Sequence, residues 1–218
     1  MYKKVLTADG SSSLYNEEIE EGYHSSSGAI TESLEKFAKP LRPFVSKKKI
    51  KVLDTCFGLG YRSCALAYVF SDRTVDITAV EIDPSLFKAM QEVSIPKELQ
   101  STYSIFQRLS EKENEVTSKQ ISCKVITGDA RVIVPTFTES FDIIVHDPFS
   151  PKKVPQLWSE EFLSLLVSKL KVSGVLVTYS SSGVVRDILR KNGCKIINGP
   201  SVGRRAPATL AVRRGVEK

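Results

Sequence analysis

Ile50–Gly60 reads IKVLDTCFGLG, a short apolar run that passes into a turn containing two glycines. The apolar residues of Ile50–Cys56 predict a buried strand, and the glycines predict a close turn that lets the backbone approach a ligand. The residues that follow, Arg62–Phe70, predict a helix. A strand, a glycine turn and a helix in this order begin a β-α-β unit, which predicts a protein of the α/β class.

The same alternation continues towards the C-terminus. Further strands are predicted at Val75–Ile82, Ile121–Thr127, Phe141–His146 and Gly174–Tyr179, followed by an antiparallel pair at Cys194–Ile197 and Thr209–Arg213. Helices are predicted from Asp83-Pro84 to Met90, from Pro96 towards Val116, and over Ala130–Phe137, Ser159–Lys171 and Val184–Lys191. This order predicts a Rossmann-like fold with a mainly parallel seven-stranded sheet and helices on both faces.

Residues 1–45 lie outside this alternation. They predict an N-terminal extension or lid with one helix near Gly28–Phe37, while residues 46–218 form the Rossmann-like domain. Four glutamates at positions 17, 18, 20 and 21 predict either a solvated helix face or an acidic surface that attracts a cationic amine.

The composition is that of a soluble globular protein, since 41% of the 218 residues are hydrophobic and 26% are charged. No apolar run reaches the roughly 18 residues that cross a bilayer, and the N-terminus lacks the apolar stretch of a signal peptide. The four cysteines have neither metal-binding nor redox spacing. We therefore expect buried reduced thiols, no metal site and a cytoplasmic location.

The net charge of +6 is unevenly distributed. Residues 184–218 contain nine basic and two acidic residues, whereas residues 1–35 contain seven acidic and two basic ones. A basic C-terminal segment is compatible with a nucleic-acid phosphate backbone, and equally with a solvated surface that has no polyanion partner.

Acidic residues follow four successive predicted strands. Asp54 ends the first strand, Glu81-Ile82-Asp83 the second, Gly128-Asp129-Ala130 the third and Asp147 the fourth. Ligands of such sheets bind outside the carboxyl ends of the strands, where these side chains converge. The third glycine of the dinucleotide fingerprint is absent, which argues against an NAD site. The pattern resembles that of the class I S-adenosylmethionine-dependent methyltransferases.

This resemblance implies S-adenosylmethionine as the cofactor. It implies that Asp54, Gly58 and Gly60 lie near the methionine portion, Glu81 near the ribose and Asp129 near the adenine. Capping of the following helix is an equally good explanation for Asp129. Neighbours in the same segments complete the predicted cofactor-binding set, namely Phe57, Asp83 and Ala130.

Asp147-Pro148-Phe149 carries the predicted chemistry. Methyl transfer needs a nucleophile held in line with a free lone pair, and an alkylammonium must first lose a proton. A carboxylate can hold or accept that proton, a proline has no N–H to compete for the lone pair, and an aromatic ring offers a face to a base or cation. The triplet is similar to the catalytic motif of amino-group methyltransferases; a strand that ends at a proline turn is the structural alternative.

Residues 147–158, DPFSPKKVPQLW, fit the pattern D-x-F-x-P-x-K-x-P-x-L-W. This pattern resembles the methyltransferase part of the bifunctional tRNA enzyme MnmC and its stand-alone relatives, and shorter matches extend over most of the chain. The resemblance implies methylation of the aminomethyl nitrogen of 5-aminomethyl-(2-thio)uridine at the tRNA wobble position. The sequence departs from the family after Gly203-Arg204-Arg205, where Ala206-Pro207 follows.

Several side chains are candidates for substrate binding. Trp158, the only tryptophan, suits stacking on an everted base and equally core packing. Tyr15, Tyr23 and His24 belong to the predicted lid, and Tyr179 ends the fifth strand of the predicted parallel sheet. The basic members of the set, which we expect to contact tRNA phosphates, are Arg186, Arg204 and Arg205.

Three other functions stay open. An aminopropyltransferase resembling spermidine synthase would use decarboxylated S-adenosylmethionine with a similar ribose acid and a similar Asp-Pro, although such enzymes have a glycine-richer loop and a longer N-terminal β domain. A small-molecule amine methyltransferase has no need of the basic C-terminal segment. A non-catalytic tRNA-binding protein has no need of all four acids at the strand ends.

Overall fold

The computed structural model describes residues 2–203 and 206–215. Within this part of the chain the strands are β1 (Tyr2–Leu6), β2 (Ser12–Asn16), β3 (Glu21–Gly22), β4 (Lys49–Asp54), β5 (Thr74–Glu81), β6 (Glu115–Thr117), β7 (Ile121–Thr127), β8 (Phe141–Val145), β9 (Leu170–Thr178), β10 (Cys194–Asn198) and β11 (Thr209–Arg213). The α-helices are α1 (Ala29–Glu32), α2 (Tyr61–Val69), α3 (Leu86–Glu92), α4 (Lys97–Phe106), α5 (Ala130–Thr136), α6 (Glu160–Lys169) and α7 (Gly183–Lys191). A π-helical segment, Ser33–Ala38, and two 3-10 helices, Lys39–Phe44 and Pro155–Trp158, complete the elements.

The central sheet has the strand order β10-β11-β9-β8-β4-β5-β7-β6. Strands β4, β5, β7, β8 and β9 are parallel, and the remaining pairings are antiparallel. The chain runs outwards from β4 to β5 and β7, and then returns to β8 on the other side of β4. This switch in direction opens a crevice at the carboxyl ends of the central strands.

The predicted mainly parallel α/β fold is confirmed, with eight strands in the central sheet instead of seven. The additional strand, β6, lies where the sequence predicts the end of a long helix. That helix, α4, ends at Phe106. Glu115–Thr117 alternates exposed, buried and exposed side chains and pairs with the edge of β7. Val116 is buried against the edge of the sheet, and this burial favours a strand at residues 115–117. The spacing of the apolar residues from Pro96 towards Val116 also suits a helix, which explains the prediction.

Hydrophobic residues cover both faces of the sheet. Ile50 and Val52 of β4 pack with residues of α2, α3 and α4, whereas Leu53 packs with residues of α5, α6 and α7. The alternation along β4 places successive side chains on opposite faces, as expected for a strand that is covered on both sides. Over residues 2–203 and 206–215, no helix has the length and apolar character needed to span a membrane.

The N-terminal segment adds a second, three-stranded antiparallel sheet. The sequence missed this sheet, and the predicted helix face of glutamates is wrong: residues 17–20 form the turn of the β2–β3 hairpin, and Glu21 lies in β3. The helix predicted near Gly28–Phe37 is present as α1 and the π-helical segment. Its residues Ile30 and Phe37 belong to the same hydrophobic core as the central strands.

Candidate active site

A cleft of about 250 Å³ lies at the carboxyl ends of the parallel strands. Its walls come from the residues that follow β4, β5, β7, β8 and β9 and from the N-terminal segment. Most of the predicted site residues line it, namely Tyr23, His24, Gly58, Glu81, Asp83, Asp129, Ala130, Asp147, Pro148, Phe149 and Tyr179. The tertiary structure therefore brings the acids that follow three strands, β5, β7 and β8, into one space.

The glycine turn between β4 and α2 forms one side of the cleft. Gly58 and Gly60 adopt φ angles of 58° and 71°, which side chains rarely tolerate. A Cβ on Gly60 would lie 2.6 Å from Cζ of Phe57, whose ring is fully buried beneath the turn. Asp54 is also fully buried and accepts a hydrogen bond from Oγ of Ser63 at 2.8 Å. Neither Asp54 nor Phe57 lines the cleft, so both support the turn from below.

Glu81 is the acid at the end of β5. Its carboxylate accepts hydrogen bonds from the N–H of Gly58 at 2.7 Å and from the N–H of Asp83 at 3.0 Å. Burial raises the pKa of Glu81 from 4.5 to about 7, and the backbone hydrogen bonds oppose this shift. Asp83 accepts a hydrogen bond from the hydroxyl of Tyr2, which brings β1 to the rim of the cleft.

Asp129 caps α5. Its side chain accepts a hydrogen bond from the N–H of Arg131 at 2.8 Å and forms an ion pair with the Arg131 guanidinium at 2.6 Å. The hydrogen bonds from Arg131 lower the pKa of Asp129. The capping alternative for Asp129 is therefore realised, while Asp129 and Ala130 still line the cleft.

Asp147 forms a buried ion pair with Arg62, which lies in the first turn of α2. The two side chains are only 6% and 5% exposed. The guanidinium contacts one carboxylate oxygen of Asp147, and among the described residues no donor reaches the other oxygen, Oδ1. A buried acceptor without a donor costs about 1–3 kcal/mol, which a ligand that supplies an N–H would relieve.

The loop after Asp147 is fixed by buried side chains. Nε1 of Trp158 donates a hydrogen bond to the carbonyl oxygen of Phe149 at 2.8 Å. Nε2 of His146 donates to the carbonyl oxygen of Leu157 at 2.9 Å, so its Nδ1 accepts from Oγ1 of Thr55 at 2.9 Å. Burial lowers the pKa of His146 to about 3, and the ring is neutral. These contacts tie the backbone of Phe149 and Leu157 to buried side chains.

The N-terminal segment forms the opposite wall of the cleft. The carboxylate of Glu21 accepts hydrogen bonds from the N–H and Oγ of Ser150, the latter at 2.9 Å. The Tyr23 ring packs edge-on against Phe149 with 4.9 Å between ring centroids. His24 packs against Tyr61, and its Nδ1 lies 2.9 Å from Oγ of Ser13. The segment is thus docked on the Asp147–Phe149 loop.

Three other predicted substrate-binding residues, Tyr15, Trp158 and Arg186, do not line the cleft. Tyr15 lies on β2 and is 36% exposed, whereas Trp158 is 6% exposed and packs against His146 and Tyr179. Nε of Arg186 donates a hydrogen bond to Oγ1 of Thr209. The two remaining members of the set, Arg204 and Arg205, lie outside the described residues.

The predicted site residues omit four charged residues that line the cleft: Arg62, Arg131, Glu21 and Glu32. The sequence carries a signal for Arg62, since it is the only charged residue in the otherwise uncharged helix Tyr61–Val69. No local signal marks Glu21, because its partner Ser150 is 129 positions away.

The arrangement fits S-adenosylmethionine. Glu81 offers carboxylate oxygens to hydroxyl donors beside the glycine turn, and Nε of the buried Arg62 guanidinium has no partner among the described residues. A cofactor with two ribose hydroxyls and a carboxylate supplies complementary groups to both side chains.

Comparisons with known proteins agree with this geometry. A model of an S-adenosyl-L-methionine-dependent methyltransferase family matches residues 91–214, more than half of the chain. An uncharacterised protein of Methanocaldococcus jannaschii is 31% identical over 96% of this chain and 59% of its own length. The tRNA 5-methylaminomethyl-2-thiouridine biosynthesis bifunctional protein MnmC of Campylobacter hominis is 25% identical over 86% of this chain and 29% of its own length. The chain thus spans less than two thirds of the length of either relative.

One solved structure supports the same family, and a second one shows the same fold. The crystal structure of MnmC2 from Aquifex aeolicus superposes with a TM-score of 0.84 and 32% identity, covering 100% of this chain and 73% of that one. Spermidine synthase from Thermotoga maritima, with a TM-score of 0.60, 16% identity and coverage of 99% and 73%, shares the fold. The chain therefore belongs to the S-adenosyl-L-methionine-dependent methyltransferase family that includes MnmC2, and S-adenosyl-L-methionine is its cofactor.

Proposed function

We propose that this protein transfers a methyl group from S-adenosylmethionine to the aminomethyl nitrogen of 5-aminomethyl-(2-thio)uridine at the wobble position of tRNA. One observation carries the proposal: Asp147, beside Pro148 and Phe149 in the cleft, has a buried carboxylate oxygen that no donor of the described residues reaches. The 32% identity with MnmC2 over the whole chain supports the choice of substrate.

Asp147 supplies the acceptor that an amine needs. An alkylammonium with a pKa of about 10 must lose a proton before it can attack, at a cost of about 4 kcal/mol at neutral pH. Oδ1 of Asp147 accepts an N–H of the amine and orients its lone pair, while Arg62 holds the other carboxylate oxygen. Phe149, packed against Tyr23, provides an aromatic face for the uracil ring. The cofactor supplies the methyl group.

The cofactor-binding roles follow the strand ends. Glu81, assisted by Asp83, receives the ribose hydroxyls, and Asp129 with Ala130 borders the adenine. The methionine portion rests on the turn that contains Gly60. Asp54 and Phe57 shape this turn, and their burial beneath it supports the assignment. Residues 1–45 act as the lid of this domain, since the β2–β3 hairpin contacts the loop that follows Asp147.

The tRNA contact is assigned to the basic C-terminal segment, which includes Arg186, Arg204 and Arg205. Trp158 supports the base pocket indirectly through its hydrogen bond to Phe149. A tRNA substrate implies a cytoplasmic location. An aminopropyl transfer or a small-molecule amine substrate would use the same cleft, and the product of the assay below separates these possibilities.

The direct test is transfer from labelled S-adenosylmethionine into bulk tRNA taken from cells that cannot methylate the aminomethyl uridine. We expect label in that nucleoside and a mass gain of one CH2 group in nucleoside mass analysis. The matched control is tRNA from cells that already carry the methylated nucleoside. Label in another nucleoside, or none despite cofactor binding, would contradict the proposed substrate.

Cofactor affinity should depend on pH through Glu81. The pKa of this buried carboxyl group is raised to about 7, so it becomes protonated as the pH falls through neutrality and loses an acceptor for the ribose hydroxyls. We expect the dissociation constant of S-adenosylmethionine to rise about tenfold between pH 8 and pH 6. Isothermal titration calorimetry measures this. Glu81→Gln should bind S-adenosylmethionine more weakly than the wild type at pH 8, and its dissociation constant should not change between pH 8 and pH 6. If the variant keeps the pH dependence of the wild type, another group titrates.

A further inference from the structure

Two cationic side chains line the cleft among the described residues, Arg62 and Arg131. Arg131 is held by Asp129 beside the end of β7, with contacts from both its Nε and Nη2 atoms. Arg62 lies directly after the glycine turn, where α2 begins at Tyr61. Six acids line the same cleft, namely Glu21, Glu32, Glu81, Asp83, Asp129 and Asp147. The cleft therefore contains more acidic than basic side chains. An anionic group of a ligand can be held by a side-chain charge only where one of the two guanidinium groups still has N–H donors to offer.

Arg62 has such donors. A guanidinium carries five N–H donors in a fixed plane. In Arg62, Nη2 contacts the carboxylate of Asp147 and lies 3.5 Å from the carbonyl oxygen of Tyr23, while the buried Nε has no partner within the described residues. The Phe37 ring lies 5.1 Å from the guanidinium carbon and fixes the plane of the group. The guanidinium of Arg62 is therefore held in position, while part of its hydrogen-bonding capacity is unused within the described residues.

S-adenosylmethionine carries a carboxylate and an ammonium group at its methionine end. A carboxylate that leaves water needs charge-assisted hydrogen bonds, which an arginine fork provides better than a neutral donor.

We infer that Arg62 binds the α-carboxylate of S-adenosylmethionine and thereby makes the cleft selective for the carboxylated methyl donor over its decarboxylated form. The inference rests on the proposed function only for the placement of the methionine portion beside the glycine turn. Because the same guanidinium holds Asp147, it also couples the position of the donor to the carboxylate that receives the amine.

This assignment bears on the choice between methyl and aminopropyl transfer. Decarboxylated S-adenosylmethionine has an additional net positive charge and offers Arg62 no anion. Its binding would leave the buried guanidinium with unpaired donors, which is unfavourable.

The test measures binding, by titration calorimetry without tRNA, of S-adenosylmethionine, decarboxylated S-adenosylmethionine and 5′-methylthioadenosine, which lacks the amino acid portion. We expect the wild type to prefer the carboxylated donor by about 10- to 100-fold over the decarboxylated one, the range of a hydrogen-bonded charge. Arg62→Gln should lose this preference, with the affinity for 5′-methylthioadenosine changed by less than about threefold. Arg62→Lys, which retains the charge for Asp147, should keep part of the preference.

Arg131→Gln is the matched control, because it removes the other cleft arginine. It should change the affinities for all three compounds by a similar factor. Equal binding of both donors by the wild type would overturn the inference, as would an undiminished preference in Arg62→Gln. If Arg62→Gln fails to fold, the wild-type ratio and the Arg62→Lys variant decide. A wild type that prefers the carboxylated donor but does not methylate tRNA would refute the proposed substrate alone.

Discussion

Asp147→Asn is expected to lower the rate of methyl transfer by about 10²- to 10⁴-fold, the usual contribution of a positioned acid or base. The amide has nearly the same shape but loses the negative charge that holds the amine's proton. Single-turnover transfer at saturating S-adenosylmethionine measures this effect. Cofactor affinity should stay within about tenfold, or 1.4 kcal/mol.

Asp142→Asn is the matched control for this experiment. Asp142 lies on the same strand as the residues that lead to Asp147, but outside the cleft, and its carboxylate is bound by Lys47 and Lys171 at 2.7 and 2.8 Å. The variant should retain the transfer rate per folded molecule. A cofactor affinity reduced a hundredfold in Asp147→Asn would place Asp147 in cofactor binding, and an unchanged rate would remove it from the chemistry.

Lys36→Met is expected to lower the free energy of unfolding by about 3–5 kcal/mol, because it leaves a buried charge without its partner. Nζ of Lys36 and the carboxylate of Glu32 form an ion pair at 2.8 Å with side chains that are 1% and 6% exposed. The other carboxylate oxygen of Glu32 accepts a hydrogen bond from the N–H of Ser25 at 3.0 Å, which does not neutralise the charge. Urea unfolding monitored by circular dichroism measures the change.

Lys39→Met, at the start of the 3-10 helix that follows the π-helical segment, provides the control. Lys39 pairs with Glu35 at the same spacing of four residues, but the two side chains are 53% and 43% exposed. Solvent screens such a pair, so its loss should change the free energy of unfolding by about 0.5 kcal/mol or less. Equal losses in the two variants would show that burial does not determine the contribution of Lys36.

Most of the central fold could be predicted from local patterns. The apolar run and glycine turn of Ile50–Gly60 predict β4 and the start of α2, and the structure has both. Prediction failed where the pattern was short or mixed. The extension from Pro96 towards Val116 has helical spacing at its start, yet a polar stretch separates α4 from β6. The N-terminal strands have little apolar alternation, since Ser12 and Ser13 are buried polar residues.

The candidate site was predicted in part. The acids at the strand ends are visible because each follows a buried strand, and parallel strands bring their carboxyl ends together. The roles of Asp54 and Phe57 beneath the turn depend on packing that spacing does not encode. Arg62 was missed because a single charge in an apolar helix does not reveal its partner.

The sequence by itself determined the α/β alternation, the glycine turn and the positions of Glu81, Asp129 and Asp147 at the ends of strands, because these features depend on neighbouring residues. Only the tertiary structure decided that Arg62 holds Asp147 and that Glu21 holds Ser150. Such contacts join residues far apart in the chain. They depend on the reversal of strand order at β4 and on the docking of the N-terminal hairpin, which no local pattern specifies.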